Sequence, residues 1–353
     1  MRVLVTGHAG YIGAVLGPLL QQGSDEVVGL DSGLYRDCDF WTPPVSIPEI
    51  EKDIRDIRPA DLEGFEAVAH LAALSNDPLG DLDAELTYEI NYKASVRLAM
   101  AAKEAGVSRF VFSSSCSTYG AAGSQAMIDE QGQFNPVTPY GRSKVLAEQE
   151  IVQLASDSFS PTFLRNATAY GVSPRLRLDV VLNNFVAWAT LTGEIRMQSD
   201  GTPWRPLVHV EDIAQAFRVV LHAPRELVHG EAFNVGANAE NYQIQELAAI
   251  VSETVPGCRV SYAAGAGPDT RCYRVDCSKM QRQLPDFEPR WDVRRGAQQL
   301  YEAYRRAGLT REDLEGARYT RIRCIRDRLE QGCVNASLRR EIGVLASAGV
   351  RNS

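Results

Sequence analysis

The chain has 353 residues, 44% of them hydrophobic, enough to bury a full core and suited to one large α/β domain or a domain with a smaller lobe. Lys and Arg number 37 against 45 Asp and Glu, a formal net charge of −8 that speaks against a nucleic-acid binder and requires any phosphate site to be local. The 7 cysteines are odd in number and include no Cys-x-x-Cys pair, so neither a disulfide framework nor a metal site is suggested, and reduced thiols in the cytoplasm are expected.

No stretch approaches the ~18 uninterrupted apolar residues of a membrane span, and no basic-apolar leader precedes the first strand, so the expectation is a soluble, unexported protein without membrane partners. That strand, Arg2 to Thr6, is a β-branched run. It leads into TGHAGYIG, residues 6–13, and then into Ala14 to Gln22, whose apolar residues recur at helical spacing. Strand, glycine turn and helix together form a candidate dinucleotide cradle. Gly7 takes the tight turn, Gly10 lets backbone N–H groups approach a pyrophosphate, and Gly13 lets the helix pack closely. The next strand, Val27 to Leu30, ends on Asp31, where a carboxylate would accept ribose hydroxyls and repel a 2′-phosphate, favouring NAD over NADP.

Proline-rich WTPPVSIP, residues 41–48, reads as a loop, and further strands are expected at Ala67 to Leu71, Phe110 to Ser113 and Thr162 to Leu164. Helices are expected at Tyr92 to Ala105 and Lys144 to Leu154. This alternation implies βαβ units and a doubly wound parallel sheet. From about Gly171 the rhythm changes, with Asn183-Asn184 and a GTPWRP turn, and a substrate lobe is placed there. Ala232 to Val235 is expected to return to the first domain as a strand. The boundaries so read are 1–170 with a return around 205–235, a lobe over 171–310, and a helical extension over 311–353. In that extension Ile322, Ile325 and Leu329 share one helical face among arginines. Either the helix packs on the body with a solvated basic face, or it holds a partner or a nucleotide phosphate.

Tyr140-Gly-Arg-Ser-Lys144 sets a phenol and an ammonium one helical turn apart on the same face. A nearby ammonium favours phenolate, lowering the tyrosine pKa toward the range of a general base, although the spacing alone is common on helices. Downstream of the glycine loop the pair gains meaning.

TGHAGYIG, Asp31, Asp53-Ile54, His70-Leu-Ala-Ala73, Phe112-Ser-Ser-Ser115, Tyr140-x-x-x-Lys144 and His209-Val-Glu-Asp212 occur in the order and spacing of the extended short-chain dehydrogenase/reductases. Over about residues 1–300 the chain resembles their NAD-dependent nucleotide-sugar epimerase/dehydratase group. The resemblance implies a Rossmann-type doubly wound parallel sheet with a smaller C-terminal substrate-binding lobe. It also implies NAD held by Gly7, Gly10, Tyr11, Ile12, Gly13, Asp31 on the adenosine ribose, Asp53 and Ile54 on the adenine, Leu71, Ala72 and Ala73, with Lys144 on the nicotinamide ribose. Tyr140 would be the base and Ser115 would hydrogen-bond the reacting sugar hydroxyl. For a nucleoside-diphosphate sugar, Asn184-Phe185, Arg205 and Arg271, the last within Asp269-Thr-Arg-Cys-Tyr273, are the implied substrate contacts. Relatives pair a helix near Asn91 to Ala105 with one near Tyr140 to Leu154 across a homodimer.

Three departures bear on the chemistry. Cys116-Ser117 stands where 4,6-dehydratases usually carry Asp-Glu, which disfavours ordinary dehydration and makes Cys116 either an unusual acid/base or a buried small hydrophobe. Thr168 stands where relatives usually have Asn, with Asn166 nearby to compensate. Ser75 to Gly80 replaces a segment with a lysine near the phosphates. The expected activity is an epimerase that oxidises and re-reduces a ring carbon, C4 favoured. A dehydratase or net oxidoreductase is the alternative, and a non-catalytic NAD-binding regulator is the remote one.

Overall fold

The computed structural model describes residues 1–42, 46–121, 123–267 and 271–340. Arg2–Thr6 (β1), Glu26–Asp31 (β2), Glu49–Glu51 (β3), Ala67–His70 (β4), Arg109–Ser115 (β5), Ser160–Asn166 (β6) and Ala232–Val235 (β7) form one parallel sheet in the order 3-2-1-4-5-6-7. Strand order reverses between β1 and β4, and in a doubly wound sheet the crevice at that point, beyond the carboxyl ends of the strands, is where ligands bind.

Successive residues of β1 point to opposite faces, so Leu4 enters one apolar layer while Val3 and Val5 enter the other. The first layer is closed by Ala94–Glu104 (α2) and Pro139–Ile151 (α3). The second is closed by Gly13–Gln22 (α1) and Val210–His222 (α5). Helix α2 arrives out of a π-helical turn at Glu89–Lys93, one residue wider per turn than an α-helix. That turn buries Asn91, whose amide donates to the Leu74 carbonyl and accepts from the Leu74 N–H, fixing the chain just after β4. The expected helix at 92–105 is therefore the second half of a longer element that starts at Ala84. Strand β3 lies within a charged run, Glu49-Ile-Glu51, which carries little strand signal and is held by its pairing with β2.

The lobe is built on Val181–Thr192 (α4), Ile244–Thr254 (α6) and Val293–Ala307 (α7), which share a third apolar cluster. Trp204–His209, expected as part of a turn, is a strand between Thr168–Tyr170 and Asn241–Gln243 in a three-stranded sheet. The His209-Val-Glu-Asp212 motif secures its exit. His209 Nδ1 accepts the Glu211 N–H and caps α5, and the Asp212 carboxylate accepts the N–H groups of Arg290 and Trp291 just before α7. Of the extension, Arg321–Glu330 (α8) is the last helix described.

A buried ion pair ties α3 to the sheet. Arg165 on β6 meets Glu148 at 2.7 Å, and the same guanidinium donates to the Tyr119 hydroxyl at 3.0 Å and to the Glu130 carbonyl at 2.9 Å. Removing the carboxylate would strand a buried cation. Glu148→Ala is therefore expected to cost about 3–5 kcal/mol of stability in urea titration, with Glu148→Gln milder, whereas a loss below about 1 kcal/mol would show that the pair does not anchor the helix.

Candidate active site

The glycine loop closes on itself at atomic contact. Gly7 has φ +71°, its N–H donates to the Leu30 carbonyl at 2.7 Å, and a Cβ there would lie 2.8 Å from the Ala72 nitrogen. A Cβ on Gly13 would lie 2.3 Å from the Gly7 carbonyl oxygen, so this glycine lets α1 pack on the loop itself. The first turn of α1 thus opens directly onto a cleft of about 1370 Å³. That exceeds the ~300–1,000 Å³ of an ordinary small-molecule pocket and leaves room for a dinucleotide with a second large ligand.

Every expected cofactor contact lines this one cleft: Gly7, Gly10, Tyr11, Ile12, Gly13, Asp31, Asp53, Ile54, Leu71, Ala72, Ala73, Tyr140 and Lys144. Asp31 ends β2 and accepts the Gly33 N–H at 2.9 Å on one oxygen. Asp53 is more committed than the sequence suggests, since Arg55 occupies both its oxygens at 2.9 and 2.6 Å. Burial works against its ionisation, yet those bonds outweigh it and hold the carboxyl below its ordinary range.

Tyr140 and Lys144 lie on α3, which Thr138 caps by accepting the Gly141 N–H at 3.1 Å. Tyr140, Lys144 and Glu148 follow at intervals of four and face the end of β5. Lys144 Nζ donates to the Ser113 carbonyl at 2.8 Å and sits 4.6 Å over the Phe112 ring and 5.9 Å from the Tyr140 ring. Burial pulls its pKa from 10.5 to about 7. For Tyr140 the structure corrects the expected direction. Burial pushes the phenol from 10.0 up to about 12, and the nearby Ser115 hydroxyl lowers it only in part. Burial is the cause, and the neighbouring amine, engaged with the Ser113 carbonyl, does not offset it. Ser115, at the end of β5, accepts the Ser117 N–H at 3.1 Å and lines the cleft.

Cys116 is turned the other way. It is 1% exposed, donates to the Arg165 carbonyl at 3.1 Å, packs with Tyr119, Tyr273, Val275 and Cys277, and is not among the residues lining the cleft. Burial raises its thiol well above the ordinary value. Of the two readings of Cys116, the geometry favours the buried small hydrophobe.

Asn166, Asn184, Phe185, Arg205 and Arg271 all line the cleft. Asn166 donates to Ser113 Oγ at 3.0 Å, and its own Oδ1 is buried without a partner. Asn184 donates to the Leu178 carbonyl, and Arg205 donates to the carbonyls of Trp204 and Arg271. Arg271 pairs with Asp77 at 2.6 Å, while Asp269 and Thr270 lie outside the described residues. Asp77 also accepts from Thr138 at 2.7 Å, so the Ser75–Gly80 segment joins the site through its polar groups.

Sequence reasoning missed a buried charged group from Arg-Leu-Arg-Leu-Asp179. Arg177 donates to Asp179 at 2.8 and 3.1 Å and to Ser75 Oγ at 3.1 Å, inside the cleft wall. Alternation of charge with leucine after Ser173-Pro174 was the available sign. Among the described residues no cluster of metal-ligating side chains occurs, and no helix is long and apolar enough to cross a membrane.

Comparison with known proteins agrees with this geometry. The profile of the NAD dependent epimerase/dehydratase family matches residues 3–236. The chain is 28% identical to a UDP-glucose 4-epimerase of Neisseria gonorrhoeae over 334 residues, 86% of this chain and 96% of that protein. Its fold is similar to that of MoeE5 solved with UDP-glucose and NAD, with TM-score 0.75, 30% identity, and 87% and 99% of the two chains covered. DesIV, a dTDP-glucose 4,6-dehydratase of Streptomyces venezuelae solved with NAD, gives TM-score 0.76 at 26% identity over 89% and 100%. The glycine cradle, the Ser115, Tyr140 and Lys144 constellation and the family match over two thirds of the sequence lead to one conclusion: the chain belongs to the NAD dependent epimerase/dehydratase family.

Proposed function

We propose that this protein is a nucleoside-diphosphate-sugar epimerase that inverts one ring carbon, C4 in our reading, by transient oxidation and re-reduction. The observation that carries it is the chemistry assembled at the end of β5. Ser115 and Tyr140 stand beside each other, Lys144 lies one turn away, and the carboxylates around them are spoken for. Asp77 is bound by Arg271 and Thr138, and Asp179 by Arg177, so neither is a free proton donor to a leaving hydroxyl. Position 116 offers a buried thiol facing away from the cleft, so the equipment for eliminating water is lacking there, and epimerisation is favoured over dehydration.

The residues fit NAD. A glycine loop with no space for Cβ atoms, a strand-end carboxylate at Asp31 and the Lys144 amine, all on one cleft, make up the expected cradle. When bound, NAD supplies a hydride acceptor that later serves as donor, together with a positive charge beside the phenol. Tyr140 removes the proton of the sugar hydroxyl as the carbon is oxidised and returns it after the ketosugar has turned its other face. Ser115 orients that hydroxyl, Lys144 assists the phenolate, and Asn166 Oδ1 accepts from a ligand donor. Arg205 and Arg271 hold the diphosphate, for which guanidinium forks are suited, and Asn184 with Phe185 lies alongside. We further propose a homodimer through α2 and α3, each of which shows solvent an apolar side chain, Met100 at 54% and Leu146 at 36%. A dimer mass in sedimentation, reduced to the monomer by Leu146→Asp, is expected.

The direct test is a panel of sugar nucleotides incubated with the enzyme in D2O and followed by NMR and mass spectrometry. The proposal expects an inverted C4, unchanged mass and no solvent deuterium on carbon. Deuterium uptake at C3 or C5, or loss of water, would replace it with enolisation or dehydration.

Lys144 adds a prediction of pH dependence. Its folded pKa of about 7 lies below 10.5, so across that interval the folded chain binds fewer protons than the unfolded chain, and this contribution to stability rises with pH. Below about pH 7 the full penalty of the buried ammonium applies, on the order of 5 kcal/mol before offsetting contacts. Lys144→Met is expected to lose activity while its Tm, relative to the native enzyme, is several degrees more favourable near pH 6 than near pH 10. A Tm difference independent of pH would contradict the buried-ammonium reading.

A further inference from the structure

The C-terminal extension lies beyond the family match, which ends at residue 236, yet three of its side chains, Arg311, Arg321 and Leu338, line the cofactor cleft. Arg321 opens α8 and is 2% exposed. Its Nη2 donates to the carbonyls of Arg175 and Leu176 at 3.2 and 3.4 Å, and its guanidinium lies 4.4 Å over the Tyr35 ring. Its Nη1 is buried with no hydrogen-bond partner, and so is the Tyr35 hydroxyl beneath it. Two adjacent donors, one carried by a cation, are thus unpaired in the wall of the same cleft.

The charges around them do not cancel. Arg177 and Arg321 surround a single carboxylate, Asp179, which already accepts from Arg177, from Asn76 at 2.9 Å and from the Arg321 N–H at 3.3 Å. Arg175 is matched separately by Asp39 at 3.1 Å. Beyond Asp179, Arg321 faces only the Tyr35 phenol and the Cys38–Cys324 thiol pair, so its buried charge is matched in part, a costly arrangement unless an anion completes it. Position identifies the anion. Tyr35 lies four residues beyond Asp31, and Arg175, whose carbonyl Arg321 engages, follows Ser173, which donates to the Tyr11 carbonyl of the glycine loop at 2.8 Å, so the charge lies between the end of β2 and the glycine loop.

We propose that Arg321, supplied by the C-terminal extension, together with the Tyr35 hydroxyl, is a binding group for the diphosphate of the dinucleotide. The inference rests on the NAD reading of the cleft and is independent of which sugar is turned over.

Calorimetric titration of the full-length protein with adenosine, ADP and UDP tests it. Arg321→Met is expected to weaken ADP by about 10–100-fold, the range of a lost charge-assisted bond, with adenosine and UDP changed less than about 2-fold and Arg321→Lys falling between. Unchanged ADP affinity, or an equal loss for adenosine, would overturn the proposal. A loss confined to UDP would reassign the charge to the sugar nucleotide and equally overturn it. Should Arg321→Met fail to fold, hydrogen exchange on the native protein decides. Amides of 321–330 slowed by ADP and not by adenosine support the assignment, and equal slowing refutes it.

Discussion

The site depends on how one helix is fixed to the sheet. Along α3, Glu148 is locked by Arg165 and Lys144 by the Ser113 carbonyl, and Tyr140 projects one turn further toward the cleft. Buried groups of this kind are restrained because each alternative rotamer would leave a charge or donor without a partner. The phenol is therefore held beside the end of β5, where Ser115 stands, through the side chains one and two turns further along its own helix. Rigidity at Glu148 becomes geometry at Tyr140.

The same burial that gives geometry opposes reactivity. Desolvation drives Tyr140 up to about 12 and Lys144 down to about 7, so the pair rests with both groups mostly neutral above neutral pH. At neutral pH the phenolate is scarcely populated until positive charge arrives beside it. The cleft is arranged so that such charge comes with the cofactor. On the proposed mechanism, proton removal would then depend on the cofactor being bound, which suits an enzyme holding a ketosugar between two half-reactions.

Much of this was legible in the sequence. The glycine loop, Asp31 at a strand end and the Tyr140 to Lys144 spacing each reflect local backbone geometry, and all lie where the spacing puts them. What was less legible depends on contacts between distant segments. Cys116 directly follows Ser115, yet the 3-10 turn that begins there carries its thiol under the sheet end toward Arg165. The strand at Glu49–Glu51 has almost no intrinsic signal and exists through its neighbour. In α8 the apolar stripe suggested a solvated basic face, and Arg323 and Arg326 are indeed exposed, but Arg321 is buried. Helical periodicity alone cannot show that the buried stripe extends to an arginine, because the segments that cover it, around Tyr35 and Arg177, lie more than a hundred residues away in sequence.

The account turns on Tyr140 moving a proton while the sugar carbon is oxidised within the closed cleft. Rapid mixing of the holoenzyme with a turned-over sugar nucleotide, read by the absorbance of reduced nicotinamide, tests this most directly. A transient rise and return in the native enzyme, absent in a Tyr140→Phe variant that still binds NAD and substrate, is the predicted result. Unchanged epimerisation by that variant, or product formed with no reduced nicotinamide at any time, would contradict it.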